Sequence, residues 1–166
     1  MIARGIYKIK DKYFIDFPDP YLKSNSGENR PCYYCYTASD TGLFWMIPLS
    51  WRVEKYKRVM EQRREMNKPC DIVHVARLDN GKESAFLIQD MFPVTDEYIL
   101  GEYLLGNSFF RVTSDALAKT IARKAKTIMT LIRKGIRLQE KQPNVLEIER
   151  KLLENKQARY TPPSER

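Results

Sequence analysis

Arg30, Ser50 and Arg52 are the residues that the order of the chain brings closest to a chemical task. Asn29-Arg30-Pro31 opens an apolar run that reverses within Ser39-Asp40-Thr41-Gly42 and returns to Pro48-Leu49-Ser50-Trp51-Arg52. In an antiparallel hairpin turning between Asp40 and Thr41, facing residues have numbers that sum to roughly 81. That register sets Arg30 opposite Trp51 and Pro31 opposite Ser50, with Arg52 one step beyond. Two fixed positive charges around one hydroxyl suit a phosphate on which charge is building. The corner predicts metal-free ribonuclease chemistry, in which the 2′-hydroxyl of RNA is the internal nucleophile that DNA lacks.

Other chemistries have less to stand on. There is no carboxylate pair at metal-ligand spacing, no His-x-x-x-His, no Gly-rich phosphate loop and no Gly-x-Ser-x-Gly elbow, so neither a metal nor a cofactor is expected. Cys32-Tyr-Tyr-Cys35 is half a zinc pattern without a second half, and strand residues three apart point to opposite faces. Reduced, buried thiols are expected for Cys32, Cys35 and Cys70. Ser50 also has a structural role open to it, because a serine just before a helical pattern is a favoured N-cap. The two roles are compatible, since a helix starting there would aim its free amides at a phosphate. His74, the only imidazole, is an acid or base if it faces the corner and a structural strand histidine if it does not. Tyr7, Tyr13 and Trp51 are candidates to stack on unpaired bases, with core packing competing for Tyr7.

The elements that must position these residues are read from periodicity and punctuation. Residues 4–10 read as a strand and 12–17 as a short helical turn. Residues 24–29 read as a flexible polar loop that delivers Arg30. Residues 32–36 and 43–47 form the central hairpin, and the second arm is apolar on both faces, which places it inside the sheet with Trp45 in the core. A helix follows Ser50 and ends near Asn67, with Val53, Tyr56, Val59 or Met60, and Met66 on its apolar side. Residues 71–78 and 83–89 pair across Asn80-Gly81, a turn needing positive φ. Residues 92–95 close the sheet, 96–100 form a short helix or turn ending at Gly101, and 109–112 read as one more strand. Ser114 caps a long helix through Lys134, where Gly135 stops it. Pro143 begins a last helix through about Gln157, packing by Val145, Ile148 and Leu152. The result is one α+β domain over residues 1–157, a twisted antiparallel sheet with added helices, and a flexible tail at 158–166.

Charge points to a polyanion. Of the formal +8, residues 52–68 hold +4 and residues 114–137 hold +6, leaving −2 for the rest. On a helical projection Lys119, Arg123, Lys126, Arg133 and Lys134 form a ridge opposite the apolar stripe Leu117, Ile121, Ala125, Ile128 and Ile132. Nucleic acid is the first partner to expect and an anionic membrane surface the second. The longest apolar run, 43–49, is far short of the ~20 residues that cross a bilayer, and the N-terminus lacks a signal pattern, so a cytoplasmic protein is expected.

Arg-Gly-Ile-Tyr-Lys-Ile-Lys at 4–10, Asn-Arg-Pro at 29–31, Ile-Pro-Leu-Ser at 47–50 and Leu-Ile-Gln-Asp at 87–90 together resemble the MazF/Kid-like toxin fold. Residues 6–13, the Pro-Leu-Ser corner and Leu-Ile-Gln-Asp-Met-Phe-Pro-Val at 87–94 are more closely similar to the ToxN/AbiQ/CptN endoribonucleases of type III toxin-antitoxin systems, nearest to the CptN branch. The likeness covers most of residues 4–153. It implies a compact SH3-like barrel with added helices and metal-independent cutting of cellular RNA to 2′,3′-cyclic phosphate and 5′-hydroxyl ends. It also implies a role in phage resistance. The implied partner is a small antitoxin RNA, a pseudoknot repeat that the toxin cuts from a repetitive precursor and holds in a closed toxin-RNA assembly, with no protein cofactor.

By position, the resemblance makes Ser50 the family's Pro-Leu-Thr/Ser corner, Arg30 the basic residue before the strand, and Lys12 and Tyr13 its N-terminal lysine-tyrosine pair. Trp51 departs from the second hydroxyl often found there, which shifts weight to Arg52 and Lys55. Two alternatives to this function are a non-catalytic RNA-binding module and a MazF-type ribonuclease neutralised by a protein antitoxin.

Overall fold

The computed structural model describes residues 1–22, 25 and 27–160. In chain order its elements are β1 (Ile6–Ile9), α1 (Asp11–Asp16), β2 (Cys32–Thr37), β3 (Phe44–Ser50), α2 (Val53–Glu65), β4 (His74–Arg77), β5 (Glu83–Phe86), β6 (Phe92–Val94), β7 (Ile99–Glu102), β8 (Leu104–Leu105), β9 (Ser108–Phe109), α3 (Asp115–Arg133) and α4 (Val145–Tyr160). Short 3-10 turns at Ile88–Asp90 and Asp96–Tyr98 flank β6.

The strand apolar on both faces is the hub of the sheet. Five of the seven residues of β3 are buried, and Trp45, Met46 and Ile47 are wholly so. The main sheet runs β4-β5-β3-β2-β1-β7, all antiparallel, and β6 also pairs with β3. One edge of β3 is taken by β2. The other is shared, with β6 along Phe44, Trp45 and Met46 and β5 along Leu49 and Ser50. Pro48, which has no N–H to give, falls at the changeover, where its carbonyl accepts from the Leu87 N–H at 2.9 Å.

The second hairpin closes as its Asn-Gly demands. Gly81 has φ +76, its N–H donates to the Leu78 carbonyl at 2.8 Å, and the Asn80 side chain accepts from the Lys82 N–H at 3.0 Å. The strand ends sooner than the apolar pattern predicts, because residues 88–90 turn into a 3-10 helix. Residues 99–102, expected as the end of a helix or turn, instead form β7 and pair with β1. Residues 109–112 do not make a full strand: β9 ends at Phe109, and Arg111 meets Gly5 in a single bridge. Gly5 is required there, since a Cβ would stand 2.4 Å from the Phe109 ring.

Ser114 caps α3 as expected, its hydroxyl accepting the Leu117 N–H at 3.2 Å. Of the expected stripe, Ile121, Ala125, Ile128 and Ile132 are buried and Leu117 is half-buried, with Ala118 buried beside it and Gly135 at φ +76 as the stop. Lys124 lies on the buried side as well, its Nζ donating to the carbonyls of Cys70 at 2.7 Å and Val73 at 3.2 Å. Those bonds keep the desolvated ammonium satisfied, while burial lowers its pKa. In α4, Val145, Ile148 and Leu152 are buried as expected, and the helix continues to Tyr160, three residues past the predicted boundary. Residues 161–166 of the predicted tail lie outside the described residues. Among the described residues, no helix is long and apolar enough to cross a membrane.

Candidate active site

The corner forms in a register one residue away from the predicted one. β2 and β3 pair as Thr37 with Phe44 and Tyr36 with Trp45 near the turn, then slip at Cys35 so that Tyr34 faces Met46 and Cys32 faces Pro48. The slip is a β-bulge, which places one extra residue on β2. Pairing reaches Pro31, whose carbonyl accepts the Leu49 N–H at 2.9 Å. Continuing the slipped register by one rung puts Arg30 across from Ser50 rather than Trp51. Paired residues share a face of the sheet, so the bulge strengthens the predicted juxtaposition.

The loop that delivers Arg30 is anchored at a buried side chain. The Asn25 side-chain amide donates to the Ile9 carbonyl at 2.7 Å and the Asp11 carboxylate at 2.8 Å, and the Asn25 backbone carbonyl accepts the Arg30 N–H at 3.2 Å. Glu28 accepts the Asp11 N–H at 2.7 Å. These bonds tie Asn25 and Glu28 to the end of β1 and the start of α1. Ser24 and Ser26, which the expected flexible loop included, lie outside the described residues.

Ser50 ends β3 and does not cap α2, whose N-cap is Arg52. Its hydroxyl accepts the Arg52 N–H at 3.3 Å, while its carbonyl accepts from Ser84 at 3.4 Å. One turn into α2, the half-buried Tyr56 comes within hydrogen-bonding reach of the Ser50 side chain. Burial raises the Tyr56 phenol above its ordinary value and Asp90 adds to the rise, against the pull of Arg30, Ser50 and Arg52. The phenol is therefore a protonated donor at neutral pH. Asp90 is buried and accepts the Gln139 amide at 2.9 Å. The corner thus joins a hydroxyl, a phenol, two guanidinium groups and one buried carboxylate.

Tyr56 and Asp90 are not among the residues predicted for the site. Tyr56 reads from periodicity as part of the apolar face of a helix, and its phenol reaches the corner only because α2 starts three residues after Ser50. Asp90 belongs to the Leu-Ile-Gln-Asp motif, and the signal that could have found it is that β5 pairs with β3 and so returns the chain to Ser50.

No family model matches the chain, and no curated protein matches its sequence. Among solved structures it superposes on AbiQ, a lactococcal anti-phage endoribonuclease belonging to the type-III toxin-antitoxin system, with a TM-score of 0.69 and 13% identity over 94% of this chain and 99% of AbiQ. The chain has the fold of AbiQ. A second structure, from work on a processed non-coding RNA that regulates a bacterial antiviral system, matches with a TM-score of 0.59 and 17% identity over 89% of this chain and 96% of that one. Both likenesses span nearly the whole of each chain, so they concern the complete α+β arrangement.

Within this AbiQ-like fold two predicted contact residues, Tyr7 and Tyr13, are corrected. Tyr13 is fully buried among Phe14, Phe17, Phe92 and Tyr98 and donates to the Pro93 carbonyl at 2.8 Å, so it stacks on no base. Tyr7 is 4% exposed, packs on Phe109 and accepts the Ile2 N–H at 2.6 Å. Tyr7 lies in β1, where Ile6 and Ile9 are buried as well, and Tyr13 takes the buried position of α1. Lys12 is exposed on α1 and ion-paired with Asp16. Trp51, by contrast, is 44% exposed beside Ser50, and the Lys55 ammonium lies 5.6 Å from the centre of the Tyr56 ring. On α3 the ridge is exposed as predicted, yet Arg123 pairs with Asp71 at 3.5 Å and Arg133 with Glu149 at 2.8 Å. Lys119, Lys126 and Lys134 have no ion pair among the described residues.

His74 faces away from the corner. Ser50, Ala85 and Val75 share one rung of the sheet, and Leu49, Phe86 and His74 share the next, so the imidazole points to the opposite face. Burial, then Lys124 and Arg123, lower its pKa to about 4. An unfolded imidazole takes up its proton near 6.5. This group's contribution to stability is therefore complete above about pH 6.5 and falls as the pH drops toward 4. His74→Gln should remove that part of the acid sensitivity. Urea midpoints compared between pH 4 and 7 test it, and an identical decline in both proteins would contradict the placement.

Proposed function

We propose that this protein is a metal-independent endoribonuclease toxin, acting in the cytoplasm as one domain over residues 1–157, that cuts RNA to 2′,3′-cyclic phosphate and 5′-hydroxyl ends. The observation that carries the reading is the gathering of Arg30, Ser50, Arg52 and Tyr56 at one end of β3 in a chain with the AbiQ fold. In the reaction the 2′-oxygen attacks the adjacent phosphorus and releases its proton, the bond to the 5′-oxygen breaks, and that oxygen takes up a proton. Arg30 and Arg52 hold the non-bridging oxygens as their charge grows, and Ser50, oriented by the Arg52 N–H and Tyr56, donates to the same phosphate. A site with two arginines repels a divalent cation, which supports metal independence.

The finer architecture in this reading is an SH3-like, MazF/Kid-like barrel, supported by β3 dividing one edge between β5 and β6. The partner we assign is a small antitoxin RNA, a pseudoknot repeat held in a closed assembly, supported by the unpaired lysines of α3 and by the RNA-regulated system of the second structural neighbour. Trp51 and Lys55 beside the corner, with Lys119, Arg123, Lys126, Arg133 and Lys134, are its contact residues.

Purified protein freed of RNA should cut single-stranded RNA equally well with and without chelator, leaving cyclic-phosphate ends detectable by mass spectrometry. Tyr56→Phe should slow cutting about tenfold, the loss of one hydrogen bond in a charged site. Dependence on added magnesium, or intact RNA throughout, would refute the mechanism.

A further inference from the structure

We infer that the groove between α3 and β2 is a nucleobase pocket for single-stranded RNA, separate from the cutting corner; this rests on the RNA-directed reading above and assigns that RNA a second, non-catalytic foothold. The groove encloses about 380 Å³ and is lined by Tyr36 of β2 and by Ala122, Lys126, Met129, Thr130 and Arg133 of α3. The five helix residues recur at three- and four-residue spacing, so they form one stripe along the helix. Its apolar part is Tyr36, Ala122 and Met129, and its two cations stand seven residues apart on the same face.

The walls are held rigidly. Tyr36 stacks on the fully buried Trp45 with ring centres 6.3 Å apart and planes 18° apart. The Thr130 hydroxyl donates to the Lys126 carbonyl at 2.9 Å and so turns back onto the helix. Glu149, 7% exposed, receives both Nη groups of Arg133 end-on, at 3.1 and 2.8 Å. That fork uses two of five guanidinium N–H groups and leaves the Nε edge for a ligand. A pre-set guanidinium and an ammonium without an ion pair, either side of an aromatic and a thioether, match a flat base joined to a phosphate. Charge selects this occupant over a neutral apolar one, and Lys119 and Lys134 extend the positive ridge beyond both ends of the stripe. α3 also packs against the Ile88–Asp90 turn that brings Asp90 to the corner, so one helix supports both sites.

The test uses the full chain and a random-sequence single-stranded 2′-O-methyl oligonucleotide carrying 4-thiouridine, which has no free 2′-hydroxyl and cannot be cut. Ultraviolet cross-links should map to Tyr36 or Met129. Ala122→Trp, which fills the groove from an exposed helix position, should weaken binding about tenfold, the loss of one stacked base. Lys126→Ala should weaken it and flatten its salt dependence. Wild-type affinity in Ala122→Trp, with cross-links elsewhere, would overturn the pocket even if the protein cuts RNA. Cross-links in the groove of a protein that cuts no RNA would uphold the pocket and refute the enzyme. Binding of poly-glutamate that Ala122→Trp abolishes, with no oligonucleotide bound, would overturn it in favour of an acidic peptide.

Discussion

Arg30→Ala should lower the rate of RNA cutting by about 10²–10³-fold, the usual effect of deleting one preorganised donor to a developing oxyanion. Ser50→Ala should fall in the same range, since it stands across the same rung and reaches the same phosphate. RNA affinity should change far less, because the α3 ridge and the exposed Lys55, Arg58 and Arg64 of α2 supply most of the long-range attraction. Arg30→Lys should recover only part of the rate, as an ammonium lacks the planar fork that grips two phosphate oxygens together. Single-turnover cleavage alongside filter binding separates these outcomes. If cutting and binding fell in proportion, the corner would be a grip and the protein a binder of RNA.

Trp45→Ala should destabilise the fold by about 3–5 kcal/mol, the range for deleting a large aromatic from a packed core. That is a large part of the roughly 5–15 kcal/mol that holds a domain together. Trp45 is wholly buried at the rungs where β3 meets β2 on one side and β6 on the other, so a cavity there loosens three strands. The same strand carries Ser50, and residual activity should fall with the folded fraction. Tyr13→Phe, which removes only the hydroxyl bond to the Pro93 carbonyl, should cost about 1 kcal/mol. Denaturant midpoints of both variants provide the check, and a loss under about 1 kcal/mol for Trp45→Ala would mean that β3 is not the hub.

Elements ruled by local chemistry are legible in the residues themselves. Ser114 and Gly135 bracket α3 because a cap and a stop act within one turn, and Asn80-Gly81 reverses the chain because only a few residue types tolerate its dihedral angles. The two-faced apolar character of residues 43–47 marks β3 as an interior strand. β7 has no such mark, because its four residues are held by pairing with β1, a contact some ninety residues away that no local pattern announces.

The corner is readable in part. Hairpin arithmetic brings Arg30 and Ser50 together, since a strand's rise and alternation are constant. The bulge at Cys35, which seats them on one rung, is a tertiary adjustment with no local marker. Tyr7 and Tyr13 show the same limit from the other side: an aromatic beside lysines looks like a base-stacking residue, and only tertiary packing, of Tyr7 on Phe109 and of Tyr13 on Phe92 and Tyr98, buries it. Sequence alone determined which residue types were available for phosphate chemistry and where along the chain the helices and turns begin. Tertiary structure decided which of those side chains share a face, because side-chain direction depends on register, and register is settled by contacts between distant segments.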